Sequence, residues 1–233
     1  MSVEDPVRSA KRRAGEEAAA RVRDGHVVGL GTGSTAAEMI RALGRRVRDE
    51  DLTIAGIPTS FSAAMLARAA GIPLRSLEDV EGIDLAIDGA DEVDPHRNLI
   101  KGGGAAHTRE KVIAEAAVTF LVVVDESKLV SRLGEKTPVP VEVIPMALPF
   151  VLRRLRQLGA EPLLRMAERK DGPVVTDEGN LIVDARFGPI EDPASLERAI
   201  DRIPGVLESG LFVGMAETVL VGVPGQDEVR QIS

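Results

Sequence analysis

The stretch "HVVGLGTGSTAAEMIRALGRRV", residues 26–47, decides the fold. Its short apolar run reads as a strand, a glycine-containing turn follows, and the remainder reads as an amphipathic helix. Upstream, residues 6–24 read as a helix closed by Gly25. Downstream the unit recurs. "LTIAGIPTS" (52–60) is a strand, "FSAAMLARAAG" (61–71) a helix, "IPLRSL" (72–77) a short strand, and "GIDLAIDGAD" (82–91) a buried strand that ends in polar residues. Helix "TREKVIAEAAV" (108–118) then leads into strand "TFLVVVDES" (119–127). Strands that alternate with helices are joined by right-handed crossovers, which lay them parallel. The expected class is therefore α/β: a Rossmann-like, mostly parallel sheet with helices on both faces. Functional loops of such a sheet gather at the carboxyl ends of its strands, near the point where strand order reverses.

The character of the chain changes at "GEKTPVPVEVIP" (134–145), which puts three prolines into twelve residues. Beyond it come strand "PVEVI", a helix over 147–158, strand "EPLLR" (161–165), a hairpin "GPVVTDEGNLIVDAR" (172–186) turning at 177–180, helix "DPASLERAIDRI" (192–203) and strand "VLESGLF" (206–212). The order βαββαβ is that of a ferredoxin-like α+β unit. "TVLVGVPG" (218–225) has no place in that unit and is expected to return to the first sheet. The expected domains are an α/β domain over 1–134 completed by 209–233, and a smaller ferredoxin-like α+β domain over 135–208.

Composition excludes several kinds of protein. A chain of 233 residues with an apolar fraction of 44% is large enough to bury its own core. It has no apolar run of the roughly 18 residues a membrane helix needs, and "MSVEDPVRSAKRRAGEEAA" reads as charged helix rather than as a signal peptide. A cytoplasmic protein without membrane contact is expected. The absence of cysteine removes disulfides, thiolate metal sites and thiol nucleophiles. A net charge of −8 and the absence of Tyr and Trp argue against nucleic acid as a partner; "KRR" at 11–13 and "RRLR" at 153–156 read as solvated helix faces. His26, His96 and His107 have no second histidine at ligand spacing and read as surface or loop residues, so no metal is expected.

Two readings compete for "GLGTGSTA", residues 29–36. Gly31, Gly33 and Ala36 fit the loose dinucleotide pattern G-x-G-x-x-A. The acid that would hold a ribose at the end of the next strand is missing, however: Asp49, Glu50 and Asp51 precede that strand, and it ends in "GIPTS". Thr32, Ser34 and Thr35 instead set hydroxyls beside glycines and the free amides of a helix start, which suits a phosphate monoester. A helix cap would account for one such hydroxyl, not for three.

In "IDGADEVDPHRNLIKGGGAAHTREK", residues 87–111, acids, a lysine and three glycines crowd together. Asp88 ends a buried strand and Asp91 lies in the loop above it, so both belong to the expected cleft; Glu92 and Asp94 read as turn caps. After Lys101, the glycines 102, 103 and 104 let backbone amides approach a ligand. Glu110 falls in or near the first turn of a helix, where dipole complementation, a capping box and catalysis are all open. Lys128 follows another strand end, where a solvated lysine is the ordinary case.

Taken in order, "GTGSTA", "DGADEVD", "KGGGAAHTREK", "DESK" and "PVEVIP" resemble the ribose-5-phosphate isomerase A family, over almost the whole chain. The resemblance implies interconversion of D-ribose 5-phosphate and D-ribulose 5-phosphate in the pentose phosphate pathway, with no metal and no cofactor. It implies phosphate and sugar contacts from Thr32, Gly33, Ser34 and Thr35, from Asp88, Gly89, Ala90 and Asp91, from Lys101, Gly102, Gly103 and Gly104, and from Lys128, with Lys11 as a further phosphate partner. The proton acceptor falls on Glu110. Asp88 is assigned to ring opening and Asp91 to the hydroxyl protons, roles that can be exchanged, while Lys101 and the glycine amides stabilise the enediolate. Burial would raise the pKa of Glu110 toward that of an effective base, and the helix start would lower it. A homodimer or homotetramer is implied as well. Position 107 is histidine where the family pattern has an apolar residue. The competing functions are an amino-sugar-phosphate deaminase, which needs a histidine such as His107 for ring opening; a sugar-phosphate-binding regulator, which needs a helix-turn-helix that the 30 residues before the first loop are not expected to hold; and the nicotinamide dehydrogenase already weakened above.

Overall fold

The computed structural model describes residues 5–233; residues 1–4 of the charged N-terminal stretch, and of the expected first domain, lie outside them. The elements run α1 (Pro6–Ala20), β1 (Val27–Leu30), α2 (Ser34–Asp49), β2 (Ala55–Pro58), α3 (Phe61–Ala69), β3 (Ile83–Asp88), β4 (Glu92–Val93), β5 (Leu99–Ile100), α4 (His107–Glu115) and β6 (Ala117–Asp125). They continue with β7 (Val139–Val143), α5 (Leu148–Gln157), β8 (Glu161–Leu164), β9 (Leu181–Arg186), α6 (Pro193–Asp201), β10 (Val206–Ser209), β11 (Leu211–Phe212), β12 (Thr218–Gly222) and β13 (Val229–Ile232). Two compact units result: one holds the chain up to Ala90 with Arg109–Lys128 and Met215–Ser233, the other Asp91–Thr108 and Leu129–Gly214.

The first unit is built on a six-stranded sheet of order β13-β12-β6-β3-β1-β2. Every pair from β12 to β2 is parallel, and only β13 at the edge is antiparallel. Strands covered on both faces read as continuous apolar runs. Accordingly Leu121 to Val124 of β6 and Val219 to Val221 of β12 are all buried. Met39, Ile40 and Leu43 of α2 pack with Leu30, Ile87 and Leu121 in one cluster, each such side chain contributing about 1.5–3 kcal/mol when buried. "TVLVGVPG" does return to this sheet, as β12. "IPLRSL" does not form a strand: Leu74 makes a single bridge to Gly56. Pro73 has no N–H to extend the ladder, and Ser76 and Asp79 form a capping box that starts a helical turn at Leu77–Asp79.

In the second unit β7, α5, β8, β9, α6 and β10 follow one another as expected, and their strands form an antiparallel sheet of order β10-β7-β9-β8. Val139, Val141, Val143, Val183 and Ala185 pack there with Val151 and Leu155 of α5 and Ile200 of α6. The first arm of the expected hairpin is irregular, with only isolated bridges at Pro173 and Val175. The segment "VLESGLF" is divided at Gly210: β10 stays in the four-stranded sheet, and β11 joins β5 and β4 in a separate three-stranded one. Gly210 donates to the Pro140 carbonyl at 2.7 Å and accepts from the Lys101 amide at 2.8 Å. A Cβ there would collide with the Lys101 carbonyl, so the crossing requires glycine. The stretch 135–208, expected as the small domain, falls inside this unit, which also takes 91–108, 129–134 and 209–214.

Glu142 of β7 is buried and accepts three neutral donors: the hydroxyls of Thr108 (2.5 Å) and Thr176 (2.7 Å) and the side-chain amide of Asn180 (2.9 Å). It thereby ties the first turn of α4 to the loop before β9. Glu142→Ala would strand those donors, and the expected loss is about 3 kcal/mol, read as a fall in the urea midpoint. An unchanged midpoint would mean that water replaces the carboxylate without cost.

Candidate active site

In the first unit the strand order reverses at β1, which has β2 on one side and β3 on the other. Ligands of open α/β sheets bind outside the carboxyl ends of the strands at such a point. The residues there are the loop Gly31–Gly33, the start of α2, and Asp88. Gly31 is glycine for a steric reason: a Cβ would overlap the backbone and carboxylate of Asp88. Asp88, 3% exposed, accepts from the Thr32 amide at 2.9 Å and the Gly89 amide at 2.7 Å through Oδ1. The loop thus fixes the acid, and the acid fixes the loop.

Helices α1, α3 and α6 each begin with a capping side chain, from Asp5, Ser60 and Asp192 respectively. The bond from Ser195 holds the Asp192 carboxyl below the usual carboxylate range. Helix α2 differs. Its N-cap is Gly33, at φ +109°, with no side-chain cap. Ser34 and Thr35 are therefore inside the helix and do not cap it, and the amides of its first turn have no intrahelical acceptor. The Ser34 hydroxyl accepts from Lys11 Nζ at 3.0 Å, and the same ammonium lies 3.7 Å from Asp125 at the end of β6. Lys11 and Ser34 thus meet at the helix start, where free amides and an ammonium suit an anion, with the Asp125 carboxylate offsetting part of that charge. Thr32 departs from the expected arrangement: its hydroxyl lies 2.7 Å from those of Thr59 and Ser60 at the end of β2, and its amide is taken by Asp88. The sequence reading missed Thr59, Ser60 and Asp125. The signal was present in each case, a polar residue closing an apolar parallel strand. Lys128 is half-buried in a helical turn after β6.

Glu110 is the fourth residue of α4 and 6% exposed. The helix lies close on β1 through Ile113, whose methyl group a Cβ at Gly29 would strike. His107 is fully buried at the start of the helix, with Nε2 3.2 Å from the Glu208 carbonyl. It is neither a surface nor a loop residue, because the turn before α4 folds it beneath Gly102.

In the second unit, Lys101 is 2% exposed, its ammonium 5.5 Å from the centroid of the Phe212 ring. Asp91 receives the Gly103 amide on Oδ2 at 2.7 Å. Gly103 has no space for a Cβ beside that carboxylate. Gly102 adopts φ +105°, and Ala105 enters the left-handed region at φ +58°. The Gly103 amide is thus already engaged; of the two other amides of the triplet, that of Gly102 belongs to a buried residue and that of Gly104 to an exposed one. Arg165, another residue the sequence reading did not single out, donates to the carbonyls of Gly102 at 2.8 Å and Gly103 at 3.2 Å. Glu92 holds the distant amides of Gly134, Lys136 and Thr137, each at 2.6 Å, instead of its own turn. Asp94 does cap its turn, on His96 and Asn98. Among the described residues no helix is long and apolar enough to cross a membrane, and no three His, Asp or Glu side chains cluster as a metal-ligand set.

Comparison with known proteins agrees over nearly the full length. Residues 55–226 match the family described as ribose 5-phosphate isomerase A (phosphoriboisomerase A). The chain is 59% identical over 232 residues to the ribose-5-phosphate isomerase A of Thermosynechococcus vestitus, covering 98% of each protein. Among solved structures, ribose 5-phosphate isomerase A of Methanocaldococcus jannaschii superposes with a TM-score of 0.92 at 50% identity, covering 97% of this chain and 98% of the other. A D-ribose-5-phosphate isomerase in complex with phospho-erythronic acid superposes with a TM-score of 0.94 at 47% identity, covering 97% and 99%. On this evidence the chain belongs to the ribose 5-phosphate isomerase A family.

Proposed function

We infer that the chain is an aldose–ketose isomerase that interconverts D-ribose 5-phosphate and D-ribulose 5-phosphate in the pentose phosphate pathway, and we propose its route. The observation that carries the reading is the 59% identity with a ribose-5-phosphate isomerase A over 98% of both chains. The phosphate binds at the start of α2, held by Ser34, Thr35, the first-turn amides and Lys11, with Lys128 as a further cation. Thr32 and Gly33 shape this loop. Asp88, steadied by two backbone amides, takes the proton that leaves O1 and delivers it to the ring oxygen O4 as the C1–O4 bond breaks, and Asp91 then relays the hydroxyl proton of the open chain from O2 to O1. Glu110 removes the proton from C2 and returns it to C1, and the pair of electrons left behind is carried as a cis-enediolate. Lys101 and the exposed Gly104 amide stabilise that oxyanion, an effect worth roughly 3–4 kcal/mol for one well-placed donor.

The ligand of the solved relative fits this scheme. A phosphorylated aldonate has a planar carboxylate with two anionic oxygens, as the enediolate has, and analogues of that kind bind more tightly than substrate. The route needs no metal and no nicotinamide, and the enzyme is proposed to work in the cytoplasm as a homodimer or homotetramer. Incubation of the purified chain with ribose 5-phosphate, chelator and no other cofactor should produce ketose, followed by its absorbance after a colour reaction. Absence of ketose, or a requirement for NAD, would refute the reading.

A further inference from the structure

We infer that Arg165 is a positioning residue for the isomerisation: anchored by Asp184, it holds the carbonyls of Gly102 and Gly103 so that the Gly103 amide stays on Asp91 and the Gly104 amide is aimed at the oxyanion. The inference rests on the proposed role of Lys101–Gly104 in holding substrate.

Arg165 follows β8 directly, and its backbone is fixed on both sides, donating to the Ile182 carbonyl and accepting from the Val174 amide, each at 2.9 Å. Its guanidinium uses Nε and Nη2 on the two oxygens of Asp184, at 2.8 and 2.5 Å. That fork sets the plane of the group, and the remaining nitrogen, Nη1, is thereby directed at the carbonyls of Gly102 and Gly103. The pair is largely shielded, with side-chain exposures of 17% and 24%.

The consequence follows from peptide geometry. In a trans peptide the N–H points opposite to the C=O. Holding the Gly102 carbonyl turns the Gly103 N–H toward Asp91, where it is found at 2.7 Å. Holding the Gly103 carbonyl likewise turns the Gly104 N–H away from Arg165. Among the described residues no acceptor takes that N–H, and Gly104 is exposed. The guanidinium also draws electron density from both peptides, which makes their amides better donors. Glycines alone could not keep this arrangement, since their backbone has the widest freedom of any residue. Lysine could not replace arginine, because one ammonium cannot grip a carboxylate bidentately and reach two carbonyls.

The test uses the full chain with Arg165→Gln and Arg165→Lys. Three quantities are compared: kcat for ribose 5-phosphate, affinity for phospho-erythronate, and affinity for inorganic phosphate. Loss of aim should lower kcat by about 10- to 100-fold and weaken phospho-erythronate by a similar factor, in both variants, with inorganic phosphate unaffected. A merely structural arginine would instead leave kcat at the wild-type level in folded protein, or would weaken inorganic phosphate and the aldonate together; either result overturns the inference. If neither substitution at 165 folds, Asp184→Asn decides, since it keeps the arginine but loosens its plane, and wild-type kcat there also overturns the proposal. Failure of the underlying reading is separately visible, because the wild-type chain would then not isomerise ribose 5-phosphate at all.

Discussion

Glu110→Gln should lower kcat for ribose 5-phosphate by about 10²- to 10⁴-fold, the range attributable to a positioned general base, with little change in KM. The amide has the shape of the carboxylate and can fill the same buried position, which is 6% exposed in the native chain. What it lacks is a lone pair basic enough to accept a proton from carbon. The prediction therefore separates chemistry from binding. A kcat loss with constant KM marks an interaction made only in the transition state, provided that chemistry is slower than substrate release. Equal losses in binding and turnover would place Glu110 among the binding groups, and an unaffected kcat would remove it from the reaction.

The second large effect is expected at the other end of the substrate. Ser34→Ala combined with Thr35→Ala should weaken ribose 5-phosphate by about 10²- to 10⁴-fold, on the basis that each of the two hydrogen bonds to a charged group contributes about 1.5–3 kcal/mol. Helix α2 should survive the change, because alanine favours a helix interior more than serine or threonine does, and neither residue supplies the cap. The loss should be specific to phosphorylated sugars. Competition by inorganic phosphate, measured as inhibition, should weaken by a similar factor in the double variant. Equal weakening toward unphosphorylated ribose would mean that the phosphate sits elsewhere. The position of the Lys11 ammonium, bonded to Ser34 and paired with Asp125, adds a further expectation: part of the phosphate affinity should fall with rising salt, since the lysine is partly open to solvent.

How much of this was legible in the sequence depends on how local the cause is. The strand–turn–helix at 26–47 declares itself because its apolar pattern and its glycines act within one short stretch, and the parallel sheet then follows from repetition of the same unit. Asp88 could be placed at a strand end for the same reason. The division of "VLESGLF" at Gly210 could not be foreseen, since it depends on Lys101 and Pro140, far away in the chain. Arg165 is similarly silent: a lone arginine closing "EPLLR" gives no sign of Asp184 or of the Gly102 carbonyl. His107 reads as surface or loop from the sequence because it has no second histidine at ligand spacing, whereas the tight turn at Ala105 starts the helix with that ring inside. The Thr32 hydroxyl, expected to face a phosphate, lies within hydrogen-bond distance of Thr59 and Ser60, two partners that the local pattern does not reveal. At Gly210, at Arg165 and at the Thr32 hydroxyl the deciding partner lies on another segment of the chain, and no pattern within a window can show it.

The account depends on proton transfer at carbon by one carboxylate, and exchange with solvent reports on that step directly. Wild-type enzyme and Glu110→Gln would each be incubated with ribose 5-phosphate in deuterated water, and deuterium at C2 of the aldose and C1 of the ketose would be followed by NMR. The account predicts rapid incorporation with the wild type and incorporation slowed by about 10²- to 10⁴-fold with the variant, although the variant still binds phospho-erythronate. Incorporation at an undiminished rate in Glu110→Gln would contradict it.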